Sequence, residues 1–149
     1  MGVYKLDMNK CILERYISAN YQSYNEMNGD NINDVFVDES KRIWLANYPT
    51  GITVIDYRYE NYHWMKHSMG NKQSIVNDQV HAVIEDSDGD LWFGTSNGIS
   101  LYNSGTGEWH SFLSSFNHQL KDKNHIFITL CEVSPGIIWA GGYTSGIYK

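Results

Sequence analysis

The side chains of this chain that could do chemistry fall into three groups, the first of which is a run of alternating acids. Asp86, Asp88 and Asp90 are spaced like the first ligands of a calcium-binding loop. Such a loop also needs glycine at its sixth position and glutamate at its twelfth. Leu91 and Asn97 stand there instead. We therefore predict a solvated hairpin turn and no metal site.

The second group contains the residues that could bind zinc or act as nucleophiles. His63 and His67 are four residues apart, which would align them on a helix. Here they straddle the end of a predicted strand, where such a pair lies about 13 Å apart. Cys11 and Cys131 lie outside any reactive-cysteine signature, and the chain has no Gly-x-Ser-x-Gly motif. We predict no enzyme, no cofactor and no metal, although a glycosidase carboxylate pair stays open because its members need only be close in space.

The third group consists of polar and aromatic residues in three loops. A tyrosine offers an apolar face on which a sugar ring stacks, and neighbouring amides and hydroxyls can bond the sugar hydroxyls. An exposed tyrosine in a loop is also an ordinary feature without function, and that alternative stays open. The predicted ligand-binding residues are Asn47, Tyr48, Asn97, Tyr143 and Thr144.

A repeat of 47 to 49 residues positions these loops. Glycines followed by a β-branched residue recur at Gly2, Gly51, Gly98 and Gly146, and tryptophans recur at Trp44, Trp92 and Trp139. A fixed period of this size indicates stacked, similar units, and the chain reads as a piece of something longer. Because the tryptophans repeat in phase, we predict that all three are buried in the core.

Each unit is predicted to contain four short strands. The strands are predicted at 32–37, 43–46, 51–56 and 62–65 in one unit, and at 80–85, 91–94, 98–103 and 108–112 in the next. They are rich in β-branched residues, end at turn signals and show no helical stripe. Large apolar residues at equal offsets in the copies are predicted to form the core: Leu6, Ile55 and Tyr102; Leu13, Tyr62 and Trp109; Tyr16, Met65 and Phe112; Val35, Val83 and Leu130; Ile32, Val80 and Phe127.

Four strands in about 45 residues are typical of a β-propeller blade. The predicted fold is all-β, a propeller fragment of about three four-stranded blades in one domain, 1–149. It divides into a half-blade at 2–16, complete blades at 28–68 and 77–113, and a partial blade at 124–149. A β-sandwich would fit the strand count but would not explain the period.

Composition limits the partners. The net charge of −6 and the pI near 5.4 argue against nucleic acids and anionic membranes, which both require a basic face. No apolar run approaches a membrane span, and no signal peptide is visible at the N-terminus. The two cysteines are predicted to be small buried apolar side chains, and a disulfide stays open if the two ends of the chain meet.

The predicted ends of the chain leave strand edges unpaired, and such edges can pair with another chain. The N-terminal half-blade of one copy would complete the C-terminal partial blade of another. Two chains would then form a six-bladed ring, and we predict such a homodimer.

The segment 80–103, followed by Thr106, Gly107, Glu108 and Trp109, resembles the two-component regulator propeller repeat. It contains the Glu-Asp-x-x-Gly-x-Leu-Trp turn, the Gly-Thr pair and the following Gly-hydrophobic strand. Weaker copies lie at 35–44, which lacks the turn glycine and the Gly-Thr pair, and at 132–142, which lacks the aspartate. Neither the WD40 nor the kelch pattern fits.

The resemblance implies a function in signalling. Such repeats build the periplasmic sensor regions of hybrid two-component histidine kinases in gut Bacteroidetes, many of which sense oligosaccharides. The expected function is thus a non-catalytic, extracytoplasmic module that recognises a ligand, without contacting the membrane itself. The alternatives are a protein–protein interaction scaffold and a propeller glycan lyase or hydrolase.

Overall fold

The computed structural model describes residues 3–17, 31–56, 61–114 and 125–149, and within these ranges the chain forms β-strands and no helix. None of the described segments could therefore cross a membrane as a helix. The strands are β1 (Val3–Asp7), β2 (Ile12–Ile17), β3 (Ile32–Val37), β4 (Ile43–Asn47), β5 (Gly51–Asp56), β6 (Asn61–Met65), β7 (Val80–Glu85), β8 (Leu91–Thr95), β9 (Gly98–Tyr102), β10 (Trp109–Phe112), β11 (Phe127–Ser134), β12 (Ile137–Gly142) and β13 (Gly146–Tyr148).

The strands form four antiparallel sheets, in each of which neighbours along the chain pair with one another. Two sheets have four strands, β3-β4-β5-β6 (blade A) and β7-β8-β9-β10 (blade B). The other two are the pair β1-β2 and the three-stranded sheet β11-β12-β13. The eight strands predicted for the two complete blades agree with the structure to within one residue at each end. The predicted all-β propeller fragment is confirmed.

Each sheet packs face to face on the next one along the chain. Trp44 and Ile52 of blade A meet Leu91 and Phe93 of blade B in the largest apolar cluster. A second cluster joins blade B to β11–β13, and a third joins β1 to blade A. The first strands of successive sheets, β3, β7 and β11, contact one another. This arrangement is the blade packing of a propeller, with β3, β7 and β11 innermost.

The three repeated tryptophans differ in burial because they all point toward the following sheet. Trp44 is 1% exposed against blade B. Trp92 is half-buried and stacks on Phe112 with ring centroids 5.5 Å apart. Trp139 is 41% exposed. The prediction that Trp139 is buried was wrong, since no described residue covers that face of β11–β13.

Part of the predicted core is also exposed, for a related reason. Leu6, Leu13 and Val35 are exposed because they lie on the sheet faces opposite the following sheet. The only described sheet that precedes blade A is the two-stranded β1-β2. Phe112 is 41% exposed and covers Trp92 from outside. The side chains of Tyr16 and Tyr62 lie outside the described residues. Six of the predicted positions are buried: Ile55, Val80, Val83, Trp109, Phe127 and Leu130.

The prediction that the cysteines are buried was wrong. Both are exposed free thiols. Cys131 lies opposite Trp139 across β11 and β12, on the same uncovered face. Cys11 lies in the β1–β2 turn with a φ of 54°. Alternation along a strand predicts which face a residue occupies, but not whether that face is covered.

The repeated aspartate and tryptophan form one hydrogen-bonded turn unit. The Trp44 indole donates to the Asp38 carboxylate at 2.9 Å, and the Trp92 indole donates to Asp86 at 2.6 Å. Each carboxylate also accepts the backbone N–H four residues ahead, at 2.9 Å in both copies. The predicted hairpin turn is therefore present, but Asp86 is half-buried and bonded rather than solvated. The described residues contain no cluster of acids, histidines and cysteines suited to a metal.

Burial raises the pKa of Asp38, but hydrogen bonds from the Trp44 indole and from Arg42 outweigh burial and hold it below its ordinary value of 3.8. The Arg42 side chain lies 2.6 Å from this carboxylate. Glu85 responds in the opposite sense, because burial and the neighbouring Asp38 charge raise its pKa. The turn unit thus holds an ionised aspartate beneath the junction of the two blades.

In the third copy of the turn, the side chain of Glu132 takes the place of the aspartate as a hydrogen-bond acceptor. Glu132 accepts the Gly136 N–H at 2.9 Å across its own hairpin. It also accepts the backbone N–H and the hydroxyl of Ser87, at 2.8 and 2.9 Å. The longer side chain therefore ties the β11–β12 turn to the β7–β8 turn of blade B.

The repeated glycines begin the third strand of each sheet and have a conformation that other residues resist. Gly51 and Gly98 have φ values of 94° and 100°. A Cβ would lie 2.5 Å from the carbonyl oxygen of Met65 or of Phe112, respectively. Their N–H groups donate at 2.8 Å to the carbonyls of Asp78 and His125, just before the next innermost strand. Each of these glycines thus begins the third strand of its own sheet and also bonds the segment that leads into the next sheet.

We expect Gly98→Ala to lower the free energy of unfolding by about 2–4 kcal/mol, through left-handed strain and the clash with Phe112 O. Gly89→Ala is the matched control, because its φ is 82° but nothing lies within 4 Å of the added Cβ. It should cost only the conformational strain of about 1–2 kcal/mol. Urea unfolding followed by tryptophan fluorescence measures both. Equal losses would contradict the steric role of Gly98.

Candidate functional site

One rim of the molecule is built by the loops between the second and third strands. In each of the three sheets that have such a loop, the backbone N–H of the first loop residue donates to the carbonyl of the residue before the innermost strand. Tyr48 bonds Asn31 O at 2.9 Å, Ser96 bonds Gln79 O at 3.0 Å, and Tyr143 bonds Ile126 O at 2.9 Å. These bonds hold the loops beside the entrances to β3, β7 and β11. The predicted ligand residues therefore share one rim.

The predicted residues differ in how accessible they are. Tyr143 is 67% exposed and Thr144 is exposed, both in the β12–β13 loop. Tyr48 and Asn97 are half-buried. Asn47 is fully buried at the end of β4, where it pairs with Ile32 of β3.

The loop of blade B, with Ser96 and Asn97, lies between the other two loops in the order of the sheets. The structure therefore brings the Tyr48 loop and the Asn97 loop together on neighbouring blades. It leaves Tyr143 and Thr144 one sheet further along.

His81 joins the two blades at this rim. The Tyr48 ring lies over the imidazole, with centroids 5.7 Å apart and planes inclined by 32°. The His81 Nε2 lies 2.8 Å from Ser96 Oγ, and Nδ1 lies 3.2 Å from the Asn33 amide nitrogen. Asn33 also donates to Val80 O at 2.8 Å. We call Asn33, Tyr48, His81 and Ser96 the rim cluster.

The network assigns the proton of His81. An amide nitrogen can only donate, so Asn33 donates to Nδ1 and the imidazole carries its proton on Nε2. His81 then donates to the Ser96 hydroxyl. Burial lowers the pKa of His81 below its ordinary value of 6.5, so the ring is neutral at pH 7. The rim cluster thus offers uncharged donors and acceptors beside an aromatic face.

The same assignment bears on catalysis. In a serine hydrolase the histidine accepts the serine proton at one nitrogen and donates from the other to a carboxylate. Here the Nδ1 partner is the amide of Asn33, and Nε2–H donates toward Ser96. The imidazole is therefore not arranged as a base for Ser96.

Three members of the rim cluster escaped the sequence prediction. Sequence analysis named Tyr48 as a ligand residue but did not name Asn33, His81 or Ser96. A signal was present, because Asn33 and His81 occupy the same position of the repeat, near the start of an innermost strand. What the sequence lacked was the contact between the two blades.

Comparison with known proteins agrees with the fold. Residues 74–97 match the family model described as two component regulator propeller. No curated protein sequence matches the chain significantly. The chain is similar to a solved structure named as the extracellular domain of the hybrid two component system BT3049 of B. thetaiotaomicron, with a TM-score of 0.81 and 18% identity over 98% of this chain.

Two further structures have the same fold. The extracellular domain named as that of the hybrid two component system BT4673 of B. thetaiotaomicron gives a TM-score of 0.66 at 20% identity over 98% of this chain. Another structure of BT4673, there named a one component system, gives 0.65 at 21% identity, also over 98% of this chain. This chain spans 20%, 19% and 18% of the lengths of the three solved chains, in the order given.

The lowered pKa of His81 predicts a pH dependence. A folded-state pKa below 6.5 means that the unfolded chain binds the proton more readily. The stability that neutral His81 contributes is therefore present above pH 6.5 and is lost as the pH falls through the folded-state pKa. We expect wild type to lose more unfolding free energy between pH 7.5 and pH 5 than His81→Gln, which cannot titrate. Urea unfolding at both pH values measures this, and equal losses would contradict it.

Proposed function

We propose that this chain is part of a non-catalytic, extracytoplasmic sensor region of a hybrid two-component signalling protein, and that it recognises oligosaccharides at the rim. The observation that carries the proposal is the rim cluster. It presents the Tyr48 ring together with uncharged hydrogen-bonding groups from two blades. Sugar rings are recognised by such a combination of an aromatic face with amides and hydroxyls.

The family match and the similar structures support the signalling context. Two of the three similar structures are named as extracellular domains of hybrid two component systems. They support the proposal that this chain lies in the periplasm, in a parent protein with a histidine kinase. The proposal gives the chain itself no catalytic step, in keeping with the orientation of His81 relative to Ser96.

Ligand binding at the rim would couple to signalling through the junction of the two blades. Tyr48 and Asn33 belong to blade A, whereas His81 and Ser96 belong to blade B. A ligand that contacts both blades binds more tightly to one relative arrangement of them and raises its population. The parent protein would transmit that arrangement to its kinase.

Removing the aromatic ring tests the proposal directly. We expect Tyr48→Ala to weaken binding of a neutral oligosaccharide about tenfold, which corresponds to about 1.4 kcal/mol. Tyr143→Ala tests the neighbouring loop in the same way. Trp64→Ala is the control, because Trp64 is 47% exposed on β6, an outer strand of blade A. Isothermal titration calorimetry with a panel of neutral oligosaccharides measures the affinities.

Two results would contradict this function. One is the absence of binding by any saccharide of the panel. The other is equal affinity in wild type, Tyr48→Ala and Tyr143→Ala, which would remove the rim as the binding surface.

We also propose that open sheet edges let two copies associate as a homodimer. Among the described strands, none pairs with the outer edge of β13 or with either outer edge of the pair β1-β2. The two incomplete sheets together contain five strands, one more than a blade, because β1 and β13 both correspond to the third strand of the repeat. A shared four-stranded blade therefore requires β2, the fourth strand, of one copy to pair directly with β13 of the other copy.

Light scattering over a range of concentrations tests the dimer. Ile147 is 72% exposed on β13, and Ile147→Lys should weaken association because a charge on an edge strand discourages pairing. We expect the wild type to approach twice the monomer mass and the variant to remain nearer the monomer mass. A wild-type monomer at every concentration would contradict the dimer.

A further inference from the structure

A groove of about 620 Å³ lies on the outer side of the junction between the two blades. One wall is the connection 67–76, which leads from β6 toward β7, and the other is the outermost strand β10 with residues 108–111. The rim cluster lies at the innermost strand β7 instead. The groove is therefore a concave surface separate from the rim.

The connecting wall is held in place by its own hydrogen bonds. Ile75 is fully buried, and the Val76 N–H donates at 2.9 Å to the buried Ser100 hydroxyl. The Ser74 hydroxyl accepts the Ser68 N–H at 3.1 Å and donates to Asn71 O at 3.0 Å. These bonds fix the shape of the wall before any ligand arrives, which lowers the entropic cost of binding.

The opposite wall is tied to the first. The side-chain amide oxygen of Gln73 accepts a hydrogen bond from the backbone N–H of Trp109 at 2.9 Å, which joins the connection to β10. Trp109 is 9% exposed and packs on Phe93 and Tyr102, with ring centroids 5.7 and 5.0 Å away. The groove thus has a rigid aromatic residue at its base.

The lining favours an uncharged, polyhydroxylated ligand. Apart from Lys72 and Glu108, which carry opposite charges, its polar side chains are amides, hydroxyls and imidazoles: Asn71, Gln73, Ser74, Ser111, Ser114, His67 and His110. The chain as a whole carries a net charge of −6, which repels anions. The volume falls within the 300–1,000 Å³ typical of small-molecule sites, enough for one or two sugar rings.

We infer that this groove is a second saccharide site, which binds one or two uncharged sugar rings between the connection 67–76 and β10. The ligand class rests on the proposed carbohydrate-sensing function. The location rests on the walls of the groove alone. With a site on each side of one blade junction, the two blades could be held by separate ligands or by separate parts of one glycan.

A filling substitution tests the site. Ser111 is exposed and lines the groove from β10, where Ser111→Phe would occupy the space while suiting a strand. Ser104→Phe is the matched control, because Ser104 is exposed in the β9–β10 turn and does not line the groove. Calorimetry with neutral di- to tetrasaccharides gives the number of sites, and hydrogen exchange of the complex locates them.

We expect Ser111→Phe to lose one binding site per chain, together with the ligand-induced protection of residues 67–76, while Ser104→Phe keeps both. Unchanged stoichiometry and protection in Ser111→Phe, with binding abolished by Tyr48→Ala, would overturn the groove but not the proposed function. Binding of only uronate-containing or sulfated saccharides at the groove would overturn the uncharged class. Loss of binding in Ser111→Phe but not in Tyr48→Ala would support the groove and remove the rim. If no saccharide bound the wild type, both the groove and the proposed function would be overturned.

Discussion

The hydrogen bond from a left-handed glycine to the chain entering the next sheet is the constraint on which the other features depend. Gly51 and Gly98 make this bond at 2.8 Å, at the start of a third strand. Only a residue without Cβ fits, because a carbonyl of the neighbouring fourth strand lies 2.5 Å from where that atom would be. The bond fixes the hairpin and the position of the following innermost strand together. Blades A and B make the same junction with the sheet that follows, and the two glycines are 47 residues apart.

The rim inherits its geometry from that junction. With Gly51 anchored to Asp78, the Tyr48 loop of blade A is held beside β7, which begins two residues later. Tyr48 can then lie over His81, and the Ser96 hydroxyl can accept a hydrogen bond from His81 Nε2–H. The ring is kept neutral by burial, and its tautomer is set by Asn33. The proposed binding surface is therefore built from residues that two blades contribute.

The rim cluster and the groove flank one apolar cluster. Trp44, Ile75, Phe93 and Trp109 fill the space between blades A and B. The rim lies at the inner end of this junction and the groove at the outer end, where Trp109 belongs to the cluster and to the lining alike. Because packed interiors transmit strain, a ligand that shifts either proposed site would also strain this shared cluster.

The sequence by itself determined the period, the all-β class, the strand limits of blades A and B to within a residue, and the turn at Asp86. Each of these follows from local chemistry: β-branched strands, turn residues and glycines that admit a positive φ. The loops that carry Tyr48 and Tyr143 were also visible, because they are longer than the Ser96-Asn97 loop at the same place in the middle copy of the repeat.

Only the tertiary structure decided which faces are covered and which distant residues meet. Trp44 and Trp139 occupy the same place in the repeat, yet one is buried and the other is 41% exposed, since a described sheet covers only the first. Asn47 is hidden and Tyr48 is partly exposed although they are adjacent. Asn33 and His81 are 48 residues apart and meet only because blade B packs on blade A. Periodicity assigns a side chain to a face, but burial and contact depend on what the next sheet places against that face.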